Sequence, residues 1–381
     1  MIITKFETWK LERKADFFDS TRKSGSPMPW DIVLIKLTDD EGAEGIAMAL
    51  GARSGNITES YLQEIIAPVV LGRNITDREA IIHQFYTIDR HLTFFPNYLP
   101  GPVDVALWDM AAKKANLPLF RYLGAYRSSL PVYASGLFHP DIPDYVKEAV
   151  RYKEMGIPAY KSQPGGPFEK DIHTATAIRE AVGDDYILMC DPVAEYTLDQ
   201  AIKTGRALEK LNYRWFEEPF RDYEIEKYAR LCEALDIPVA NTETTRGDQR
   251  GVAQFILQRA TDIVRADVSW KWGVTGTLKI AHLAEAHGLQ CEIHTTTMAY
   301  MDMANLHVSC AIRNCEFFEL FVPQDQFRFP MKEALPIDRN GIIHVPERPG
   351  IGMEIDWEVV ETTCTSYKVR TLNQMKIQTT F

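Results

Sequence analysis

Hydrophobic positions change period twice along the chain. Up to about residue 60 they fall in short β-branched runs. Asp31-Ile-Val-Leu-Ile-Lys-Leu-Thr38 is one, and Asp39-Asp-Glu-Gly-Ala-Glu-Gly45 turns the chain back, the pattern of a hairpin. Between about 60 and 125 the spacing becomes helical, in Tyr61-Leu-Gln-Glu-Ile-Ile66, Ala80-Ile-Ile-His-Gln-Phe-Tyr86 and Val103-Asp-Val-Ala-Leu-Trp-Asp-Met-Ala-Ala-Lys113. Strands followed by helices predict an α+β domain. From about residue 130 short apolar strands alternate with helical segments. The strands are Leu130–Ser135, Ala159–Lys161, Tyr186–Asp191, Tyr213–Glu217, Pro238–Glu243, Ile263–Asp267, Leu289–His294 and Glu316–Glu319. Thr197-Leu-Asp-Gln200 has the form of a capping box opening a helix, and Gly183 and Gly288 stand where helices should stop. Eight such units predict an α/β fold of the (β/α)8, TIM-like barrel type. A doubly wound open sheet is the competing α/β arrangement.

Composition narrows the function classes. The 381 residues leave room for two to three domains, and 45% hydrophobic with 25% charged residues is ordinary for a globular chain. With 42 basic against 53 acidic residues the formal charge is −11, which argues against binding to a nucleic-acid backbone. No apolar run approaches the roughly 18 residues of a membrane span, and no apolar core follows a basic start. The six cysteines form no C-x-x-C pair and suit free buried thiols. A cytoplasmic protein without a membrane partner is expected.

Ionisable residues close most of the strands: Lys161, Asp191, Glu217, Glu243, Asp267, His294 and Glu319, at steps of 30, 26, 26, 24, 27 and 25 residues. That is one βα unit per step. In a barrel the strand C-termini share one face, so these groups converge on one mouth. Asp191, Glu217 and Glu243 end three consecutive strands, where three carboxylates repel one another unless a cation lies among them. Hard oxygen donors favour Mg2+ over Zn2+. Glu217 and Glu218 are adjacent, and strand alternation allows only one of them to face such an ion. Asp267 beside His294 would orient the imidazole and raise its pKa, as a general base requires. Lys161 would neutralise a developing oxyanion or tune a neighbour.

At this point the chain resembles the enolase superfamily, mandelate racemase branch, over nearly its whole length. The residues that carry the likeness are Pro102-Val-Asp-Val-Ala-Leu-Trp-Asp-Met-Ala-Ala-Lys113, Phe216-Glu-Glu-Pro219, Pro238-Val-Ala-Asn-Thr-Glu243, Asp267 with Gly273-Val-Thr-Gly276, and His294. The resemblance implies an α+β capping domain over 1–127, the barrel over 128–349, and a C-terminal segment, 350–381, returning to the cap. It implies Mg2+ on Asp191, Glu217 and Glu243, abstraction of a proton α to a carboxylate, and an enediolate intermediate; a Lys or His base working with Mg2+ is the superfamily's established pattern. Glu319 matches a glutamate that hydrogen-bonds the substrate carboxylate in some members. The family often forms oligomers, so a homo-oligomer is expected.

Three departures bear on the reaction. Strand two reads Lys161-Ser-Gln163 where a Lys-x-Lys is common, strand three reads Asp191-Pro-Val193 where Asp-Ala-Asn is common, and Asn241 and Thr242 replace small residues before Glu243. The metal carboxylates and the His294–Asp267 dyad survive; the second base does not. An acid-sugar dehydratase is therefore expected, with His294 as base and a 2-keto-3-deoxy acid as product. An isomerase using the same enediolate, and a non-catalytic binding barrel, are the alternatives. The substrate is a small sugar acid, contacted by Gln163 and Glu319. Arg22, Lys23 and Arg53, on capping loops, are candidates for its distal end.

Overall fold

The computed structural model describes residues 1–13, 30–52, 54–94, 96, 98–193 and 196–374. Strands β1 (Ile3–Leu11), β2 (Asp31–Asp39) and β3 (Glu44–Ala52) form an antiparallel sheet. Eight further strands carry the expected barrel: β4 (Ser129–Ser135), β5 (Ala159–Ser162), β6 (Ile187–Cys190), β7 (Trp215–Glu217), β8 (Val239–Asn241), β9 (Ile263–Ala266), β10 (Gln290–Ile293) and β11 (Phe318–Phe321). A short β12 (Ile342–His344) pairs antiparallel with β4, and β13 (Cys364–Thr371) adds to the first sheet beside β1. The cap sheet runs β13-β1-β2-β3, and the barrel runs β10-β9-β8-β7-β6-β5-β4-β11, its strands parallel.

No ladder joins β10 to β11; side chains cross that seam instead. Glu292 on β10 accepts the backbone N–H groups of Glu316 (2.9 Å) and Phe317 (3.1 Å), and Glu319 on β11 accepts that of Thr295 (3.2 Å). Burial pushes the Glu292 carboxyl up to about 7 against these hydrogen bonds.

Local chemistry sets the helices as the chain predicts. Thr197 Oγ1 accepts Gln200 N–H, and the Gln200 side chain returns to Thr197 N–H, a complete capping box for the Leu198–Lys210 helix. Gly183 ends the preceding helix at φ +80°.

The cap is bolted to the barrel through two aspartates on the Pro100–Lys114 helix. Asp104 accepts the N–H (2.9 Å) and hydroxyl (2.7 Å) of Thr275, at the start of the Gly273–Ala286 helix. Gly273 has φ +78°, and a Cβ there would lie 2.3 Å from Asp104 Oδ2, so only glycine lets the two helices approach this closely. Asp109 accepts N–H groups from Ile46 on β3 (3.0 Å) and Ile351 (2.9 Å) and the hydroxyl of Tyr300 (3.1 Å). A sequence motif thus becomes a rigid joint that holds the cap over the barrel mouth.

Candidate active site

Inside the barrel, side chains stack in layers because alternate strand residues point inward. Tyr133, Ala159, Met189, Trp215, Ala240, Ile263 and Phe317 form an apolar floor, separate from the outer core. The rings of Tyr133, Trp215 and Phe317 meet edge to face at 5.5–6.4 Å. Two residues further on, the same register carries Lys161, Asp191, Glu217, Thr242, Arg265 and Glu319.

Four of these make an ionic layer. Lys161 Nζ lies 2.8 Å from Glu217 and 2.7 Å from Glu319, and Arg265 Nη2 lies 3.1 Å and 2.7 Å from the same two carboxylates. All four are buried. Trp215 Nε1 donates to the other Glu217 oxygen at 2.8 Å, and Arg265 Nη1 donates to Tyr133 Oη at 3.0 Å. Burial opposes ionisation of Glu217, but Arg265 and Lys161 outweigh it and hold the carboxyl below its usual range. Two cations and two anions cancel, so the layer is neutral as a unit.

Above it lies a cavity of about 430 Å3 whose lining includes Gln163, Asp191, Glu218, Glu243, Trp270 and His294. Trp30 and Leu50 of the capping domain complete one wall. Asp191 and Glu243 face this space, whereas Glu217 sits below it in the ionic layer. Strand β7 ends at Glu217, and Glu218 has φ +36°. That twist brings Glu218 to the cavity while Glu217 stays in the ionic layer beneath it. Glu218 accepts the backbone N–H of Glu243 (3.1 Å) and the hydroxyl of Thr244 (3.4 Å), tying β7 to the end of β8. Burial, reinforced by Glu217 and Glu243 against the pull of Lys161, pushes Asp191 up to about 7. Burial also raises Glu243, and one of its buried oxygens, Oε2, takes no hydrogen bond.

His294 and Asp267 come together as anticipated: Nδ1 lies 2.7 Å from Asp267 Oδ2. An ionised carboxylate only accepts, so Nδ1 carries the proton and Nε2 is left toward the cavity, 3.8 Å from Glu243. Burial alone would lower this imidazole, but the charge of Glu243 and the Asp267 hydrogen bond raise it to about 9.

The other candidates divide. Gln163 lines the cavity and donates to Asp191 at 3.4 Å. Lys161 and Gln163 both point inward, with Lys161 the deeper. Glu319 is occupied by Lys161, Arg265 and Thr295 beneath the cavity. Arg22, Lys23 and Arg53 lie outside the described residues. The departures near Glu243 have structural work: Thr242 Oγ1 donates to Arg265 O (2.8 Å) and accepts Arg265 N–H (3.1 Å), and Asn241 donates to Ala260 O at 2.7 Å.

Sequence reasoning passed over Arg265, the compensating charge for Glu217. Its signal was available: an arginine two residues from Ile263 and two before Asp267 occupies the inward register. Trp270, against the His294 ring, had no signal of its own.

The donor chemistry fits a divalent cation. Asp191 and Glu243 are oxygen donors at the cavity, both raised by burial and by the charge of Glu217, and Glu243 Oε2 takes no hydrogen bond, lying 3.6 Å from Arg265 Nε. Among the described residues no three acidic, imidazole or thiolate side chains converge on one point as placed, because Glu217 is turned to Lys161 and Arg265.

Comparison with known proteins places the chain in a family. Residues 144–359 match the enolase C-terminal domain-like family, and residues 24–124 match the mandelate racemase / muconate lactonizing enzyme N-terminal domain. The chain is 31% identical to arabinonate dehydratase of Saccharolobus solfataricus over 89% of its length and 92% of that protein's. It is 32% identical to L-talarate/galactarate dehydratase of Salmonella typhimurium over 85% of its length and 80% of that protein's. It is also 29% identical to D-galactarolactone cycloisomerase of Agrobacterium fabrum, over 93% and 97% of the two chains. Among solved structures, D-glucarate dehydratase from Agrobacterium tumefaciens complexed with magnesium superimposes with a TM-score of 0.86 at 28% identity, covering 96% of this chain and all of that one. No helix among the described residues is long and apolar enough to cross a membrane. The barrel, the dyad at its mouth and these matches lead to one assignment: the chain belongs to the enolase superfamily, in its mandelate racemase branch.

Proposed function

We propose that the protein is a Mg2+-dependent dehydratase of a sugar acid. It removes the proton α to the carboxylate and eliminates the β-hydroxyl to give a 2-keto-3-deoxy acid. Asp191, Glu217 and Glu243 hold the ion in this reading. Bound Mg2+ supplies Lewis acidity to the substrate carboxylate as the α proton leaves. Relatives with this activity, and solved structures such as L-talarate dehydratase from Polaromonas sp. JS666 complexed with Mg and L-glucarate, support the assignment by likeness.

The chain's own residues account for the direction of reaction. With the charge of Glu243 offset by the ion, His294 is neutral and takes the proton at Nε2, while Asp267 holds Nδ1 and stabilises the imidazolium. Once protonated, His294 can return a proton to the departing hydroxyl. The cap residues Trp30 and Leu50 exclude water from one side. Lys161 and Arg265 keep Glu217 and Glu319 ionised beneath the substrate. The observation that carries the proposal concerns the far side of the mouth: Gln163 lines the cavity on β5 and donates to Asp191, while Lys161 is spent on Glu217, Glu319 and Asp191 below. A glutamine amide accepts no proton near neutral pH. Inversion at C2 needs proton carriers on both faces, so elimination is favoured.

The test is turnover in D2O with Mg2+ across arabinonate, galactarate, L-talarate and further mono- and diacid sugars. A 2-keto-3-deoxy product with negligible C2 epimer is expected, and His294→Asn abolishes it. A C2 epimer as main product, carrying deuterium at C2 and accompanied by no keto acid, would overturn the proposal in favour of an isomerase.

A further inference from the structure

We propose that Trp270 is a positioning residue for the base, holding the face of the His294 ring as Asp267 holds its edge. The inference rests on His294 being the base. The indole and imidazole stack with centroids 4.7 Å apart and planes at 27°. Phe321 meets the ring edge-on at 6.3 Å and 83°. Trp270 also lines the cavity, so the stacked pair stands at the surface where substrate docks.

The turn that carries the indole is built for this. Asp267 Oδ2 receives His294 Nδ1, while its Oδ1 accepts the backbone N–H of Ser269 (2.6 Å) and of Trp270 (2.9 Å). One carboxylate therefore sets both the edge of the imidazole and the backbone from which the indole hangs. Ser269 Oγ lies 3.1 Å from Thr296 Oγ1, in the loop that follows His294. Lys271, buried, donates to Thr245 O. The next residue, Trp272, packs on Tyr86 of the cap at 4.1 Å. The turn is thus pinned on three sides.

A single hydrogen bond at Nδ1 lets an imidazole rock about that bond, swinging Nε2 across the cavity. A flat ring against its face removes the freedom. Trp270→Leu keeps an apolar side chain but takes away the plane; Trp270→Phe keeps a plane. Misplacement of a reacting atom by about 1 Å costs on the order of a hundredfold in rate.

The experiment compares wild type, Trp270→Leu, Trp270→Phe and His294→Asn as full chains with Mg2+. Imidazole ring signals are recorded by NMR, with His294→Asn identifying the relevant set, and kcat and KM are measured on the sugar acid found in the D2O screen. We expect one sharp ring set in wild type and Trp270→Phe, and a broadened or doubled set in Trp270→Leu. The leucine variant loses about tenfold to a hundredfold in kcat with KM little changed, and the phenylalanine variant recovers most of it. A sharp single set in Trp270→Leu overturns the proposal, with or without a substrate in hand. So does a rise in KM at unchanged kcat, which marks a mere wall. If His294→Asn is inactive while Trp270→Leu matches wild type, this inference alone fails. If His294→Asn turns over normally, the base assignment fails and this inference with it.

Discussion

Replacing Arg265 by methionine tests whether the ionic layer is a structural unit. The substitution keeps volume and removes one of two cations facing Glu217 and Glu319. Arg265 has no solvent exposure, so water cannot replace the lost bonds at 2.7 and 3.1 Å. The layer goes from neutral to one uncompensated negative charge. Leaving a buried charge without its partner costs about 3–5 kcal/mol. With an unfolding entropy of about 2.1 cal/mol/K per residue over the 381 residues, or about 0.8 kcal/mol/K, the midpoint should fall by about 4–6 °C. Adding Glu319→Gln restores neutrality, leaving Lys161 with Glu217, and should recover at least half of the loss. Scanning calorimetry of the two variants and of Glu319→Gln alone completes the cycle. If Arg265→Met melts within about 1 °C of wild type, or if the double variant loses the sum of the two single losses, charge balance is not what holds the layer.

Glu217→Gln should lower Mg2+ affinity by more than about a hundredfold in a calorimetric titration, since even groups that only orient ligands cost about 10–100-fold; unchanged affinity would remove Glu217 from the ligand set. The metal-free protein should lose stability as pH rises. Folding raises Asp191 from 3.8 to about 7 and His294 from 6.5 to about 9, so the folded state binds more protons than the unfolded one. The His294 contribution is complete below its unfolded value and disappears as pH passes about 9, and the Asp191 contribution is lost between about 4 and 7. Mg2+ takes the place of those protons, so the rise in melting temperature on adding it should be larger at about pH 8.5 than at about pH 5.5; a metal-free protein equally stable at both would contradict the assignment.

Much of this was legible in the chain because the barrel repeats one rule. Each strand is an apolar run with period two, so a charged residue at its end has a defined face, and Asp191, Glu243, Asp267 and His294 all reached the mouth. The rule carries one or two residues past the strand ends to Asp191, Glu243, Asp267 and His294, but not after β7. Glu218 escapes it through a positive φ one residue past β7, a local conformation that no periodicity records. Arg265 was hidden for another reason: an arginine inside an apolar run carries no label of burial, and its role appears only once Glu217 and Glu319 arrive from strands 48 and 54 residues away. Asp104 and Asp109 lay in a motif that pointed to the family, yet their partners, Thr275 and Ile351, are 171 and 242 residues further along.

The pairing of β13 with β1, from Lys5 opposite Thr371 to Leu11 opposite Cys364, has a consequence for the order of synthesis. At about 5–20 residues per second, the last strand of the cap sheet emerges roughly 20–70 s after the first. All eight barrel strands are made in that interval. On the ribosome β1 must therefore wait with one edge unpaired while the catalytic half forms beside it. A nascent chain caught at this stage would hold the dyad but an unfinished cap, and a chaperone that shields a strand edge would find its target in β1.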